Sequence, residues 1–371
     1  MFTKSLSPNK SFAENILPSP LKNGFRQKDY WVWGSSVVKA EDGRYHMFVS
    51  RWPQIWPMHP GWMMASEIVR ASSETPMGPY KFEEIILGAR GAQYWDGRSC
   101  HNPRIVKHKD RYLLFYIGIT HPFEDPENPR EISLSDPRVI ASRANKRIGV
   151  AYADSINGPW MRAEKPAFDT IPNSYCSFFT SNPSPIVHED SSVTLMFKAR
   201  QYNDTTDAET DALRKDGSMI GLAGQMEIGL AKADHYLGPY RLLTNEPIFS
   251  KDRFGIVEDP YMWRSDDGQY HMLAKDMTGD ITGMPHSGLL AHSSDACNWA
   301  LNNPPTSYTK TVTYEDGSTE TLGQMERPFI FHDDNGRDYL FVAVMDGAGG
   351  FKNGTVSWNL VRPLKPDTLN Q

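Results

Sequence analysis

One pattern recurs five times along this chain, and it restricts the fold more than any other property of the sequence. A β-branched or aromatic run leads into a turn built on Asp and Gly or similar residues, and a second run rich in Tyr, Phe, Leu and Met follows. The copies are WGSSVVKAEDGRYHMFVSRW (33–52), HNPRIVKHKDRYLLFYIG (101–118), SNPSPIVHEDSSVTLMFKAR (181–200), EDPYMWRSDDGQYHMLAKDM (258–277) and ERPFIFHDDNGRDYLFVAVMD (326–346). Period-two alternation around a tight turn predicts a β-hairpin in each. A short strand ending at a Gly-Pro-aromatic corner follows as ASSETPMGPYKF (71–82), VAYADSINGPWMR (150–162) and LAKADHYLGPYRL (230–242), and in weaker form as LAHSSDACNWAL (290–301).

Copies about 65 to 80 residues apart fit four-stranded blades, and five of them fill the 371 residues. The expectation is an all-β chain: one five-bladed β-propeller of four-stranded antiparallel blades over 1–371, with residues 1–27 as an N-terminal extension. A lone blade leaves faces and edges uncovered, so the ring must close, either through residues 20–32 or through the C-terminal run VSWNLVRPL. Segments 121–146 and 202–225 read as long loops. TVTYEDGSTETL (311–322) reads as an extra hairpin that walls the site.

Composition excludes several classes. No stretch approaches eighteen apolar residues, so no membrane partner is expected, and a net charge of -6 without basic clusters argues against nucleic acid. Cys100, Cys176 and Cys297 are too few and scattered for a disulfide framework or a structural zinc. The first twenty residues have no apolar core of a secretory signal, which points to the cytoplasm, or to the periplasm if a signal peptide has been removed. Oligomeric state is not legible. Ten Trp and sixteen Tyr offer flat faces of the kind on which sugars stack.

In a propeller the innermost strands begin at one rim of the axis, so equivalent positions of the repeat converge there. Aligned on the proline, these positions hold His101 and Asn102, Ser181 and Asn182, Glu258 and Asp259, and Glu326 and Arg327, with Trp33 and Gly34 in the first copy. Polar residues there either tie blades together or perform chemistry. Glycoside hydrolysis needs one protonated and one ionised carboxyl group, and crowding Glu258, Asp259 and Glu326 would push their pKa values apart. A further carboxylate comes from Asp29 or Asp96, with Asp29 preferred because the first copy lacks one. Trp31, Trp33 and Trp52 are candidates for stacking; Arg51, Lys198, Lys275 and Arg327 for hydroxyl, carboxylate or sulfate groups; His101, Asn102, Asn182 and His286 for further substrate contacts.

Strands opening with HNP, SNP, EDP and ERP, with Gly-Pro-Trp or Gly-Pro-Tyr corners between them, resemble the five-bladed propeller glycoside hydrolases of family 43 and relatives such as families 117, 32 and 130. The likeness runs from about residue 28 to 360. Family 43 implies an inverting enzyme with a base Asp in blade one, a tuning Asp in blade three and an acid Glu opening blade four. Glu258 matches the acid, whereas Gly34 and Asn182 stand at the other two positions. Family 117, whose members remove anhydrogalactose units from algal oligosaccharides, uses carboxylates of blades one, four and five, which implies Asp29, Asp259 and Glu326 here. The resemblance also implies that a metal ion on the axis is possible, although no ligand spacing demands one and no cofactor is required. The resulting expectation is an exo-acting, inverting glycosidase that removes a terminal sugar from a plant or algal oligosaccharide. A glycoside phosphorylase and a non-catalytic sugar-binding propeller are the rivals.

Overall fold

The computed structural model describes residues 11–202 and 223–366, which build five antiparallel sheets around a common axis. Blade one consists of β1 (Tyr30–Lys39), β2 (Tyr45–Pro53), β3 (Glu67–Ser73) and β4 (Lys81–Leu87). Blade two holds β5 (Ser99–His108), β6 (Arg111–Ile119), β7 (Arg147–Ala153) and β8 (Met161–Arg162). Blade three holds β9 (Phe179–Val187), β10 (Val193–Tyr202), β11 (Ala223–Ala233) and β12 (Arg241–Leu242). Blade four holds β13 (Val257–Arg264), β14 (Tyr270–Asp276), β15 (Ser287–Ser293) and β16 (Ala300–Tyr308). After a small hairpin of β17 (Thr311–Thr313) and β18 (Thr319–Thr321), blade five holds β19 (Gln324–His332), β20 (Asp338–Met345) and β21 (Ser357–Pro363). The innermost strands β1, β5, β9, β13 and β19 touch in succession, and β19 returns to β1. This is the five-bladed propeller that the repeat predicts.

The second strand of each hairpin explains why the ring holds. It is covered on both faces, so its sequence reads as a near-continuous apolar run. On β2, Met47 and Val49 pack toward blade five while Phe48 packs toward blade two. Leu114 and Tyr116 of β6 face blade one, whereas Leu113 and Phe115 face blade three. The same alternation on β10, β14 and β20 gives one apolar cluster between every pair of neighbouring blades. The Gly-Pro corners turn on Gly78, Gly158 and Gly238, all with φ between +82° and +88°, where a Cβ would be strained.

In blade five VSWNLVRPL supplies β21, and the N-terminal segment completes its edge: Phe25 and Asn359 exchange two backbone hydrogen bonds (3.0 and 3.1 Å), and Ile16 bridges Leu364. Three expectations need correction. The described part of the supposed extension is therefore built into the fold, with Phe12 and Phe25 buried. Segment 121–146 is not all loop, since it contains helix α2 (Pro137–Ala144). Hairpin 311–322 does not wall the site: Val312 and Leu322 are buried with Phe12 in the cluster between blades four and five. Of the expected loop 202–225, residues 203–222 lie outside the described residues, and Ala223 already opens β11. Among the described residues no helix is long and apolar enough to cross a membrane.

Candidate active site

The strand ladder slips near the opening of all five innermost strands, in blade one for example between Trp33 and Ser35. The residues at the slips are Gly34, Asn102, Asn182, Asp259 and Arg327, and the last four have φ between +50° and +59°. Such bulges re-aim side chains, and Asn and Asp tolerate the left-handed region better than most residues. The bulge therefore gives the two residues of each opening dipeptide different tasks.

The second residues join around the axis. Asn102 Nδ2 donates to Asn182 Oδ1 (3.2 Å), and Asn182 Nδ2 donates to Asp259 Oδ1 (2.7 Å). Arg327 donates to Asp259 through its backbone N–H (3.2 Å) and through Nη1 (3.1 Å). Gly34 completes the ring because nothing larger fits: a Cβ there would lie 2.7 Å from Asn102 Oδ1 and 3.1 Å from Arg327 Nε. Asp259, bound on both oxygens and 2% exposed, thus ties blades three, four and five together. The guanidinium of Arg327 also brings positive charge to the axis. Among the described residues no group of three or more His, Cys, Asp or Glu side chains lies together as a metal site.

Of the first residues, Trp33, His101, Glu258 and Glu326 face a cavity of about 330 Å³ whose floor is this ring. Glu258 lies directly across the β13–β14 ladder from Lys275. Lys275 Nζ contacts Glu258 Oε2 at 2.8 Å and Glu326 Oε1 at 2.7 Å, while Lys198 of β10 pairs with the other oxygen of Glu258. Burial pushes the Glu258 carboxyl up, but the charges and hydrogen bonds of Lys198 and Lys275 outweigh it and hold the group well below the usual carboxylate range. Among the described residues Glu326 pairs with Lys275 alone. Burial raises it, Lys275 opposes, and the negative charges of Asp259 and Glu258 add to the rise, which takes it to about 7. Two carboxyl groups with pKa values driven apart in one cavity mark acid and base roles.

Trp33, Trp52, Trp62 and Phe351 form the aromatic side. Trp62, on helix α1 (Trp62–Ala65), stacks on His101 at 4.5 Å and donates through Nε1 to His59 Nδ1 (3.0 Å). Burial, with help from Arg143 and Lys146, depresses His59 to about 3, so its ring is neutral. His101, held by the Ser66 hydroxyl at 2.8 Å, is depressed in the same sense by burial and then Arg327. The other side carries Arg143, Lys146 and Arg200 beside Phe179 and Met226.

Trp33, Trp52, His101, Asn102, Asn182, Lys198, Glu258, Asp259, Lys275, His286, Glu326 and Arg327 thus come together as expected by position. Four candidates do not. Asp29 is exposed at the start of β1 and lies outside the cavity lining. Trp31 is buried in an aromatic cluster with Nε1 on the Trp56 carbonyl (2.9 Å). Arg51 pairs with Glu67 and Gln27. Asp96 is fully buried against Arg90, Arg162 and Tyr116, a structural knot. Sequence reading missed Arg143 and Lys146, although SDPRVIASRANK carries a helix signal: Asp136 caps the N-terminus, accepting from the Arg138 N–H at 2.8 Å, and Pro137 occupies the first turn. Arg200 was legible too, standing two residues beyond Lys198 and hence on the same face of β10.

No protein-family model matches the chain, and no curated protein matches it significantly. Solved structures do share the fold. A complex of BT0996 with RGII superposes with a TM-score of 0.67 at 13% identity, over 95% of this protein and 93% of the other. A family 117 glycoside hydrolase of the marine bacterium Zobellia galactanivorans gives 0.57 at 17% identity, over 99% and 92%. A thermostable family-43 glycoside hydrolase gives 0.57 at 10% identity, over 91% of each protein. At these identities the likeness establishes the propeller fold, the one on which the sequence resemblance rests.

Proposed function

We propose that this chain is a glycoside hydrolase in which Glu326 is the acid and Glu258 the ionised partner. The observation that carries the reading is the pair of glutamates on one lysine, with opposite pKa displacements, at the floor of a cavity walled by aromatic rings. The glycoside hydrolases among the structural neighbours support it at the level of fold. The cavity lies at the small end of the roughly 300–1,000 Å³ range of ligand pockets, and its blind floor suits the terminal sugar of an oligosaccharide, hence exo action.

Protonated Glu326 gives its proton to the glycosidic oxygen as the bond to the anomeric carbon breaks. Both bridging oxygens lie within 2.8 Å of one Nζ, so they are less than twice that distance apart. The separation of these two inner oxygens lies nearer the roughly 5–5.5 Å of retaining enzymes than the roughly 6.5–9.5 Å of inverting ones, which supports retention. Glu258 then attacks the anomeric carbon to form a glycosyl ester. Ionised Glu326 next takes a proton from water, whose oxygen displaces Glu258 and releases the sugar. The sequence-based expectation of inversion gives way to this reading, as does the positional match of Glu258 to an acid.

Single replacements Glu258→Gln and Glu326→Gln test it on a panel of plant and algal oligosaccharides, with binding measured in parallel. Loss of turnover by about 10²-fold or more with binding kept supports the assignment. Unchanged turnover in both variants, or binding without turnover in the wild type, returns the chain to the sugar-binding class.

A further inference from the structure

The cavity is more positive than a neutral sugar requires. Lys198, Lys275 and Arg327 are matched by Glu258, Glu326 and Asp259 in direct ion pairs. Arg143, Lys146 and Arg200 have no such partner among the described residues. Lys146 is 4% exposed, and no acceptor lies within hydrogen-bond reach of its ammonium among the described residues; its Nζ stands 3.8 Å from the centre of the Phe179 ring. Among the described residues, Arg143 Nε is buried without an acceptor, and the Arg200 side chain makes one hydrogen bond, to the Gly224 carbonyl at 3.2 Å. Burial and then the charges of Lys198, Arg143 and Arg200 hold the Lys146 ammonium well below its usual value, with Glu258 working the other way.

Burying the Lys146 ammonium beside two half-buried guanidinium groups is costly, and proteins rarely tolerate such a cluster without a counter-charge. The three belong to two elements that the fold brings together. Arg143 lies in the last turn of α2 and Lys146 just beyond it, while Arg200 pairs across β10 with Phe179 on one side and Met226 on the other. Their side chains line the same cavity as Glu258, where a substituent of a bound sugar ring would meet them.

We infer that Arg143, Lys146 and Arg200 form an oxyanion subsite that receives an acidic group carried by the substrate, a sugar carboxylate or sulfate ester. This deepens the glycosidase reading by naming its substrate class, and it rests on that reading for the word substrate. Guanidinium forks and an ammonium bind such groups through charge-assisted hydrogen bonds. Inorganic phosphate shares the chemistry and would arrive as a free ion.

Calorimetric titration of the whole chain with galacturonate, galactose 6-sulfate, galactose and inorganic phosphate tests the inference without requiring turnover. The expected result is binding of one of the acidic sugars at least about tenfold tighter than galactose, weakening with salt, with the advantage lost in Lys146→Met and Arg143→Met. Removing Lys146 should also raise the melting temperature of the ligand-free protein, whereas a cation that merely props the fold would lower it. Galactose bound as tightly as both acidic sugars overturns the subsite, as does an equal loss for neutral and acidic ligands in the variants. Phosphate binding that competes with the acidic sugars, together with turnover that requires phosphate, assigns the oxyanion to a co-substrate and overturns the substituent. Acidic sugars bound but no glycoside cleaved would leave the subsite standing and remove the hydrolase reading.

Discussion

Glu258 and Glu326 occupy the same position of the repeat, yet their surroundings drive them apart. Two lysines reach Glu258 and one reaches Glu326, because the residue opposite the opening position is Lys198 in blade three, Lys275 in blade four and Ala343 in blade five. Lys275→Met should therefore raise both groups. The alkaline limb of activity, set by loss of the Glu326 proton near 7, moves up in pH, and an acid limb from Glu258 enters the measurable range. A pH–rate profile with unshifted limbs would contradict the shared-lysine account. Asp259→Asn acts differently. It leaves the Arg327 guanidinium buried without its anion, so it should cost about 3–5 kcal/mol of stability in denaturant unfolding, with a smaller effect on the rate of what remains folded. Sequence alone could not separate Glu258 from Asp259, because the bulge that aims one at the cavity and the other at the axis is a backbone event. The positive φ that Asn102, Asn182 and Asp259 share is its trace in residue choice.

At the scale of elements, the hairpins were readable because their second strands are buried on both faces and three of their five turns carry Asp-Gly or Asn-Gly. The third and fourth strands were legible mainly from their Gly-Pro corners, and β12 and β8 are only two residues long. Helix α2 escaped because it is a short helix inside a segment whose other regular structure is one 3-10 turn (Pro129–Glu131), and its capping pair was the main cue. That helix matters for function because it delivers Arg143 and leads into Lys146. Asp136→Ala removes the side-chain acceptor at its N-terminus and should cost about 1 kcal/mol. Frayed at one end, the helix should hold Arg143 less well, so KM for acidic glycosides rises more than kcat falls. An unchanged KM alongside the lost stability would detach the helix from substrate binding.

For the whole molecule, closure of the ring is the condition on which convergence of the site depends, since its ionised groups come from blades two to five and most of its rings from blade one. The closing seam joins both ends of the chain: Phe25, Val32 and Val49 pack with Phe341 and Val361. Sequence reading offered the N-terminal and C-terminal segments as alternatives, whereas the structure uses both, one as β21 and the other as its edge. Phe25→Ala should lower stability by about 3–5 kcal/mol, seen as a lower melting temperature by calorimetry. If the seam were peripheral, the variant would melt with the wild type. Asp29 was misplaced for a related reason: it precedes the innermost strand of blade one but stands exposed outside the cavity lining, and a linear alignment does not show which way the chain enters.

The central claim is that buried Glu326 holds the proton that the leaving group receives. The direct measurement is the pH dependence of kcat/KM for a cleaved oligosaccharide, in the wild type and in Glu326→Gln. A carboxyl group raised to about 7 must be protonated to act, so the rate should be level at acid pH and fall tenfold per unit above about 7, while the variant is slow and has lost that limb. A wild-type rate that rises through neutrality, or a Glu326→Gln enzyme that keeps both the rate and the limb, would place the acid elsewhere.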